Sequence, residues 1–237
     1  MENRHSNWDH LTHVVVDIAI QLDQTGVVPD QPMLLPDLVR SPGDHSACVA
    51  FVPAGAQVAG GVGDALVEVD EPEHHRRAAS GLGAVTGIGL LDRLLGLPSG
   101  EWVRWDDLSI EDIHQLQMAP VGVIDQSPRG VRRTLVPAAT VPLVLVRSSS
   151  WRRGLRKASA FEPFAQRVLV LDRPRRDLHR VIWEADLVGV GVWVQTEKGT
   201  EEVLTPAPWR QRYVKAAGWR FRERAYHNWL NAAPLAR

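Results

Sequence analysis

Apolar and polar positions alternate along this chain with two different periods. Leu11, Val14, Val15, Ile18 and Leu22 recur at helical spacing and predict a helix from Trp8 to Gln24, ended by Gly26 and Pro29. Residues 29–42 are punctuated by proline and predict irregular chain. Short apolar runs at 48–52 and 65–69 predict two strands joined by the glycine-rich stretch 54–63, and 70–77 reads as a charged turn or helix start. A glycine-weakened helix is expected over 82–97, and a second over 107–118, where Ser109 stands three residues before Asp112 as a capping signal. From residue 121 the pattern becomes β-β-β-α-β-α-β-β-α. It comprises strands at 121–125, 131–136 and 141–147, a helix from the serines at 148–150 to about Ala165, and a strand at 167–171. A helix at 177–187, a strand at 189–194, a hairpin through 197–199 into 202–205 and a closing helix from Tyr213 to Leu230 complete it. This order predicts an α/β (α+β) fold with a mixed central sheet flanked by helices.

Composition narrows the class. The 237 residues are 44% hydrophobic and 23% charged, as in globular domains, which excludes a largely disordered, collagen-like or coiled-coil chain. No apolar run is long enough to span a bilayer, and the N-terminus leads into no signal-type stretch, so a cytoplasmic protein without membrane contact is expected. The single Cys48 fits a reducing compartment. The net charge of −1 conceals an asymmetry: residues 1–100 hold 13 acids against 5 bases, and residues 151–237 hold 9 acids against 17 bases. Of the 27 basic residues only Lys157, Lys198 and Lys215 are lysines. Arginine's planar fork suits phosphate. The expected division is therefore an acidic α+β region at 1–100, read as a partner-binding or regulatory addition, and a core at 101–237 that is basic from Arg147 onward.

The run Leu143-Val144-Leu145-Val146-Arg147, then Trp151-Arg152-Arg153-Gly154-Leu155-Arg156-Lys157-Ala158, Phe161, Phe164-Ala165-Gln166-Arg167 and the apolar 168–171, is followed by Ala185-Asp186-Leu187-Val188-Gly189-Val190-Gly191-Val192. This texture resembles the restriction-endonuclease-like, or PD-(D/E)xK, superfamily over about residues 120–208. The resemblance implies a nuclease-like core in which an Asp on one strand and a Glu-x-Lys on the next hold Mg²⁺ or Mn²⁺ for phosphodiester hydrolysis. Here Leu145-Val146-Arg147 stands where Glu-x-Lys belongs, so the resemblance is to a member with a degenerate motif. Were the site active, Asp125 would be its metal ligand, Glu162 or Glu184 a relocated second acid, and Lys157 or Arg147 the replacement for the lysine. Otherwise no cofactor is expected.

The basic residues carry the other chemistry. Arg152, Arg153, Arg156 and Lys157 fall near one helical face, with Arg147 just before it, and the free amides of the helix start add phosphate affinity. Arg173, Arg175, Arg176 and Arg180 form a second cluster, and Arg210, Arg212, Lys215, Arg220, Arg222 and Arg224 a third. Nine tryptophans exceed the six Tyr and Phe, and six of them lie in the basic third. Trp219, Tyr226 and Trp229 recur at helical spacing and predict core packing, whereas Trp209, in a proline-rich loop beside Arg210, is expected to be exposed. His5, His10 and His13, and the pair His74 and His75, have no partner acid or cysteine in a metal-binding arrangement. The glycine-rich stretch at 55–63 lacks the Gly-Lys-Ser/Thr of a phosphate loop and predicts a hairpin.

The expectation is a nucleic-acid-associated protein that holds the DNA (or RNA) backbone through its basic third, as part of a larger nucleic-acid-processing or defence complex. The alternatives are an active Mg²⁺- or Mn²⁺-dependent nuclease, and a protein–protein interaction module or homo-oligomer whose acidic and basic regions pair.

Overall fold

The computed structural model describes residues 33–34, 47–211 and 213–232. The predicted helix at 8–24, together with His5, His10, His13 and Arg212, lies outside them. Ten strands form two sheets among these residues: β1 (Met33–Leu34), β2 (Ala47–Val58), β3 (Gly61–Asp70), β4 (Trp102–Arg104), β5 (Ile124–Ser127), β6 (Gly130–Arg133), β7 (Ala139–Arg147), β8 (Gln166–Leu171), β9 (Gly191–Thr196) and β10 (Gly199–Leu204). The helices are α1 (Glu71–Ala79), α2 (Ile88–Gly96), α3 (Ile110–Gln117), α4 (Trp151–Ser159), α5 (Leu178–Leu187) and α6 (Ala216–Ala232). The fold is mixed α/β.

The large sheet has the order β1-β2-β3-β7-β8-β9-β10. Strands β1, β2, β3 and β7 are successively antiparallel, β7, β8 and β9 are parallel, and β10 returns antiparallel to β9. The crossovers β7-α4-β8 and β8-α5-β9 step in one direction across the sheet, so right-handed connections place both helices on the same face. On that face Trp151, Leu155 and Ala158 of α4, Val181 and Ala185 of α5, and Phe221, Ala225, Tyr226 and Trp229 of α6 share one core with Val144, Val146, Leu169 and Val192. The other face carries a separate cluster of strand residues alone, among them Phe51, Leu66, Leu143, Leu145, Val170 and Trp193. The small sheet, β4-β6-β5, packs with α2 and α3 around Leu91, Leu94, Leu116 and Val131, and joins α6 through Trp219.

The large sheet takes β2 and β3 from before residue 100 and β7 to β10 from after it, so a boundary near residue 100 does not divide it. Several elements also differ from the sequence pattern, each for a local reason. The glycine-rich stretch is mostly strand: β2 bulges at Ala54, whose φ is 50°, and continues to Val58, and the turn needs only residue 59 and Gly60 at φ 90°. The segment 121–123 is a turn, since Gly122 has φ 87° and the Val123 amide donates to Pro120 O (3.2 Å). The expected helix at 82–97 begins only at Ile88, because Gly83 O and the Val85 amide are taken by Arg77 and Glu223 rather than by neighbouring turns. Helix α4 stops at Ser159: Pro163 has no amide to extend it, and Phe161 and Phe164 turn instead toward Phe221. The caps at Asp70 and Ser109 both form, accepting from the Glu73 and Asp112 amides. No helix among the described residues is long and apolar enough to cross a membrane.

Candidate nucleic-acid interface

Strand β7 decides where the chemistry can lie. Its antiparallel neighbour is β3, and the register sets Asp64 opposite Leu145. Arg147, two residues further on, donates from Nε to Asp64 Oδ2 at 2.9 Å. Asp64 Oδ1 accepts the Ala54 amide at 3.0 Å, which fixes the bulge residue in its left-handed conformation. Both carboxylate oxygens are thus committed, one to a backbone amide and one to arginine. The acid on the strand next to Leu145-Val146-Arg147 is Asp64, and sequence reasoning missed it. It lies 83 residues before Arg147, and β3 also holds Glu68 and Asp70, so nothing local in the sequence singles Asp64 out.

Asp125 is placed elsewhere. It belongs to β5 of the small sheet and is bonded to Arg132 of β6. Glu184 is ion-paired with Arg180 one turn away on α5 (3.0 Å), and Glu162 is exposed in the turn after α4. The three acids therefore occupy a strand of one sheet, an outer helix and a loop. Among the described residues no three His, Cys, Asp or Glu side chains gather as a ligand set for a metal ion. His74 is held in place structurally: its Nδ1 is 2.8 Å from the Tyr226 hydroxyl and its ring meets Trp229 edge-on, while burial, and then the neighbouring His75, lower its pKa.

The parallel strands sort the basic residues into two groups. Arg147 closes β7 and the serines before α4 follow it, and Asp172, Arg173, Arg175 and Arg176 follow the end of β8, so they share the C-terminal edge of the parallel strands. Glu162 and Arg167 precede or open β8, residues 187–189 precede β9, and residues 206–210 follow the antiparallel β10. These share the opposite edge. A six-residue strand separates the edges by about 20 Å. The basic and aromatic residues expected from the sequence to contact nucleic acid are consequently not one patch: Trp209 and Arg210 belong to the far edge.

At the C-terminal edge, Trp151 anchors α4 by burying its ring and donating Nε1 to Asp177 (3.1 Å), the residue that opens α5. Gly154 lets α4 lie against the sheet, since a Cβ there would fall 2.3 Å from Leu169 Cδ1 and 2.9 Å from Ser148 Cβ. The buried Trp151, Gly154, Leu155 and Ala158 turn Arg152, Arg153 and Arg156 outward, with Lys157 half-buried. The Arg152 guanidinium lies over the Trp151 ring, 4.4 Å from its centroid. Arg175 pairs with Asp177 at 3.0 Å, while Arg176 is exposed. A shallow cavity of about 260 Å³ opens here, lined by Ser148, Ser149, Leu171, Asp172, Arg173 and Arg175. The edge is dense in guanidinium groups, and α4 presents three of them in a row.

Trp209 is half-buried, its Nε1 donating to Glu162 O at 3.1 Å, which corrects the expectation that it is the exposed tryptophan. Among the described residues the exposed tryptophans are Trp183 and Trp102, at 63% and 50%. Trp219, Tyr226 and Trp229 are buried on α6, in keeping with their spacing.

No known protein family, curated protein or solved structure matches this chain.

Proposed function

We propose that this chain is a nucleic-acid-associated protein on a restriction-endonuclease-like core with a degraded catalytic motif, and that it holds duplex DNA by the backbone through the C-terminal edge of its parallel strands. The observation that carries the reading is the outward row Arg152, Arg153 and Arg156 on α4, above the arginines that follow β8. Guanidinium groups on a rigid helix suit phosphate contacts that are electrostatic and independent of sequence. The order of a three-stranded antiparallel run, a crossover helix and a parallel strand supports the family resemblance, as does the place of Asp64 beside Arg147. Leu145 in place of an acid, and an Asp64 already bonded on both oxygens, support the loss of catalysis. The scatter of Asp125, Glu162 and Glu184 gives the active-nuclease alternative no assembled site.

The test is a gel-shift titration of the full chain with a short labelled duplex at two salt concentrations, alongside supercoiled plasmid with EDTA or Mn²⁺. A salt-sensitive shift without nicking is expected. Absence of any shift overturns the proposal. Nicking that requires Mn²⁺ and vanishes in Asp64→Asn or Asp125→Ala overturns its catalytic part.

A further inference from the structure

A cavity of about 940 Å³ opens where β8 and β9 begin, beside the C-terminal end of α4, and has no part in the duplex reading. Its size is that of a small-molecule site, roughly 300–1,000 Å³. Among the described residues three cations line it, Arg167, Arg210 and Lys215, against one acid, Glu162. Arg167 is 8% exposed and, among the described residues, has no carboxylate within ion-pair distance. One Nη donates to Val188 O at 2.5 Å, while its buried Nε has no partner. Burial lowers the pKa of this guanidinium, opposed by the charge of Glu162 nearby. A largely buried guanidinium that no carboxylate among the described residues neutralises favours an anion in the cavity it lines. The chain keeps the space open at Gly189, at φ 65°, where a Cβ would fall 3.0 Å from Ala207 Cβ and 3.8 Å from an Arg167 Nη.

The remaining wall is planar and apolar. Phe164 is held by stacking on Phe221, with centroids 4.9 Å apart, and Trp209 is held by its bond to Glu162 O. Tyr213 is 74% exposed at the mouth, with Lys215 Nζ 5.6 Å from its ring. Aromatic rings beside cations are the combination that takes a base by its face and its phosphate by charge.

We infer that this cavity binds a nucleotide, its base against the Trp209 and Tyr213 side and its phosphate on Arg167, Arg210 and Lys215. The ligand is either a free nucleoside monophosphate or one nucleotide of a single strand. The inference does not rest on duplex binding at the other edge.

Calorimetric titration of the full chain tests it, with AMP, thymidine 5′-monophosphate, adenosine, inorganic phosphate and a thymidine pentanucleotide as probes. One site is expected, filled by the monophosphates or the pentanucleotide at least about tenfold more tightly than by adenosine, as the loss of charge-assisted contacts requires. A pentanucleotide tighter than the monophosphates assigns the site to a strand, and equal affinities assign it to the free nucleotide. Arg210→Gln and Lys215→Gln, both at surface positions, each weaken binding about tenfold, and Trp209→Leu weakens it at least about fivefold. The Arg152→Gln/Arg153→Gln/Arg156→Gln variant leaves it unchanged, so loss of duplex binding and loss of nucleotide binding are separable. No heat with any nucleotide, inorganic phosphate binding as tightly as AMP, or unaltered affinity in all three cavity variants overturns the inference.

Discussion

Arg77 has no solvent exposure, yet every one of its nitrogens has a partner. Nε donates to Glu73, both terminal nitrogens donate to Glu223, and the carbonyls of Gly83 and Val136 take the rest. Glu223 in turn accepts the Val85 amide and Trp219 Nε1. One guanidinium therefore ties α1, the segment before α2, the approach to β7 and α6 together. Deleting one partner of such a buried pair leaves a charge without compensation, so Glu223→Ala should lower stability by about 3–5 kcal/mol, read from the urea midpoint at unchanged slope. Glu73 adds a pH dependence. Burial alone would raise its pKa, but hydrogen bonds from Arg76 and Arg77 outweigh it and hold the carboxyl below its ordinary value. A pKa lower in the folded than in the unfolded chain gives stabilisation that is complete above the unfolded value, about 4.3, and lost as pH falls toward the folded one. Urea unfolding between pH 6 and 3 should show that loss, and Glu73→Gln should flatten it. An equally steep acid limb in Glu73→Gln would assign the dependence to other carboxylates.

At the scale of the element, α4 positions the proposed DNA surface, and Gly154 positions α4. Alanine at 154 would gain about 1 kcal/mol of helix propensity, but its Cβ would meet the fully buried Leu169 and the chain at Ser148. Overpacking of this kind costs about 1–3 kcal/mol, so Gly154→Ala should lower the melting temperature and weaken duplex binding together. Gly218 is the control: it is helical, in α6, with nothing within 4 Å of its Cβ position, so Gly218→Ala should raise the melting temperature. A rise in both variants would show that α4 does not need its close approach. The helical periods of α3, α5 and α6 and the apolar runs of β7, β8 and β9 were legible because burial acts within one element, at a fixed spacing. Pairing between elements is not written that way. Asp64 acquires its place from an antiparallel register with β7, and Arg167 its burial from Val188 and the loop at residue 207. No local pattern encodes either. Asp125 is the nearest strand acid upstream in the sequence, yet the chain passes through a second sheet before entering β7.

Across the whole molecule, the basic excess of residues 151–237 is divided by topology into two edges about 20 Å apart. The charge imbalance was plain in the sequence and its division was not, because the division follows from which strands run parallel. That split makes the electrostatic reading testable residue by residue. Each phosphate neutralised contributes about 0.9 to the slope of log K against log salt on duplex DNA. If α4 lies along the backbone, neutralising Arg152, Arg153 and Arg156 to glutamine should reduce the slope by up to about 2.7 and weaken affinity similarly for unrelated sequences. Arg210→Gln with Lys215→Gln removes two positive charges from the other edge, and a Debye length of about 10 Å at 0.1 M salt screens them from a duplex on the α4 side. That variant should leave the slope as it is. Fluorescence anisotropy over a range of salt concentrations reads both. Equal reductions would mean that DNA spans both edges. No change in the α4 variant, with binding intact, would place the duplex away from α4 and remove the interface proposed for it.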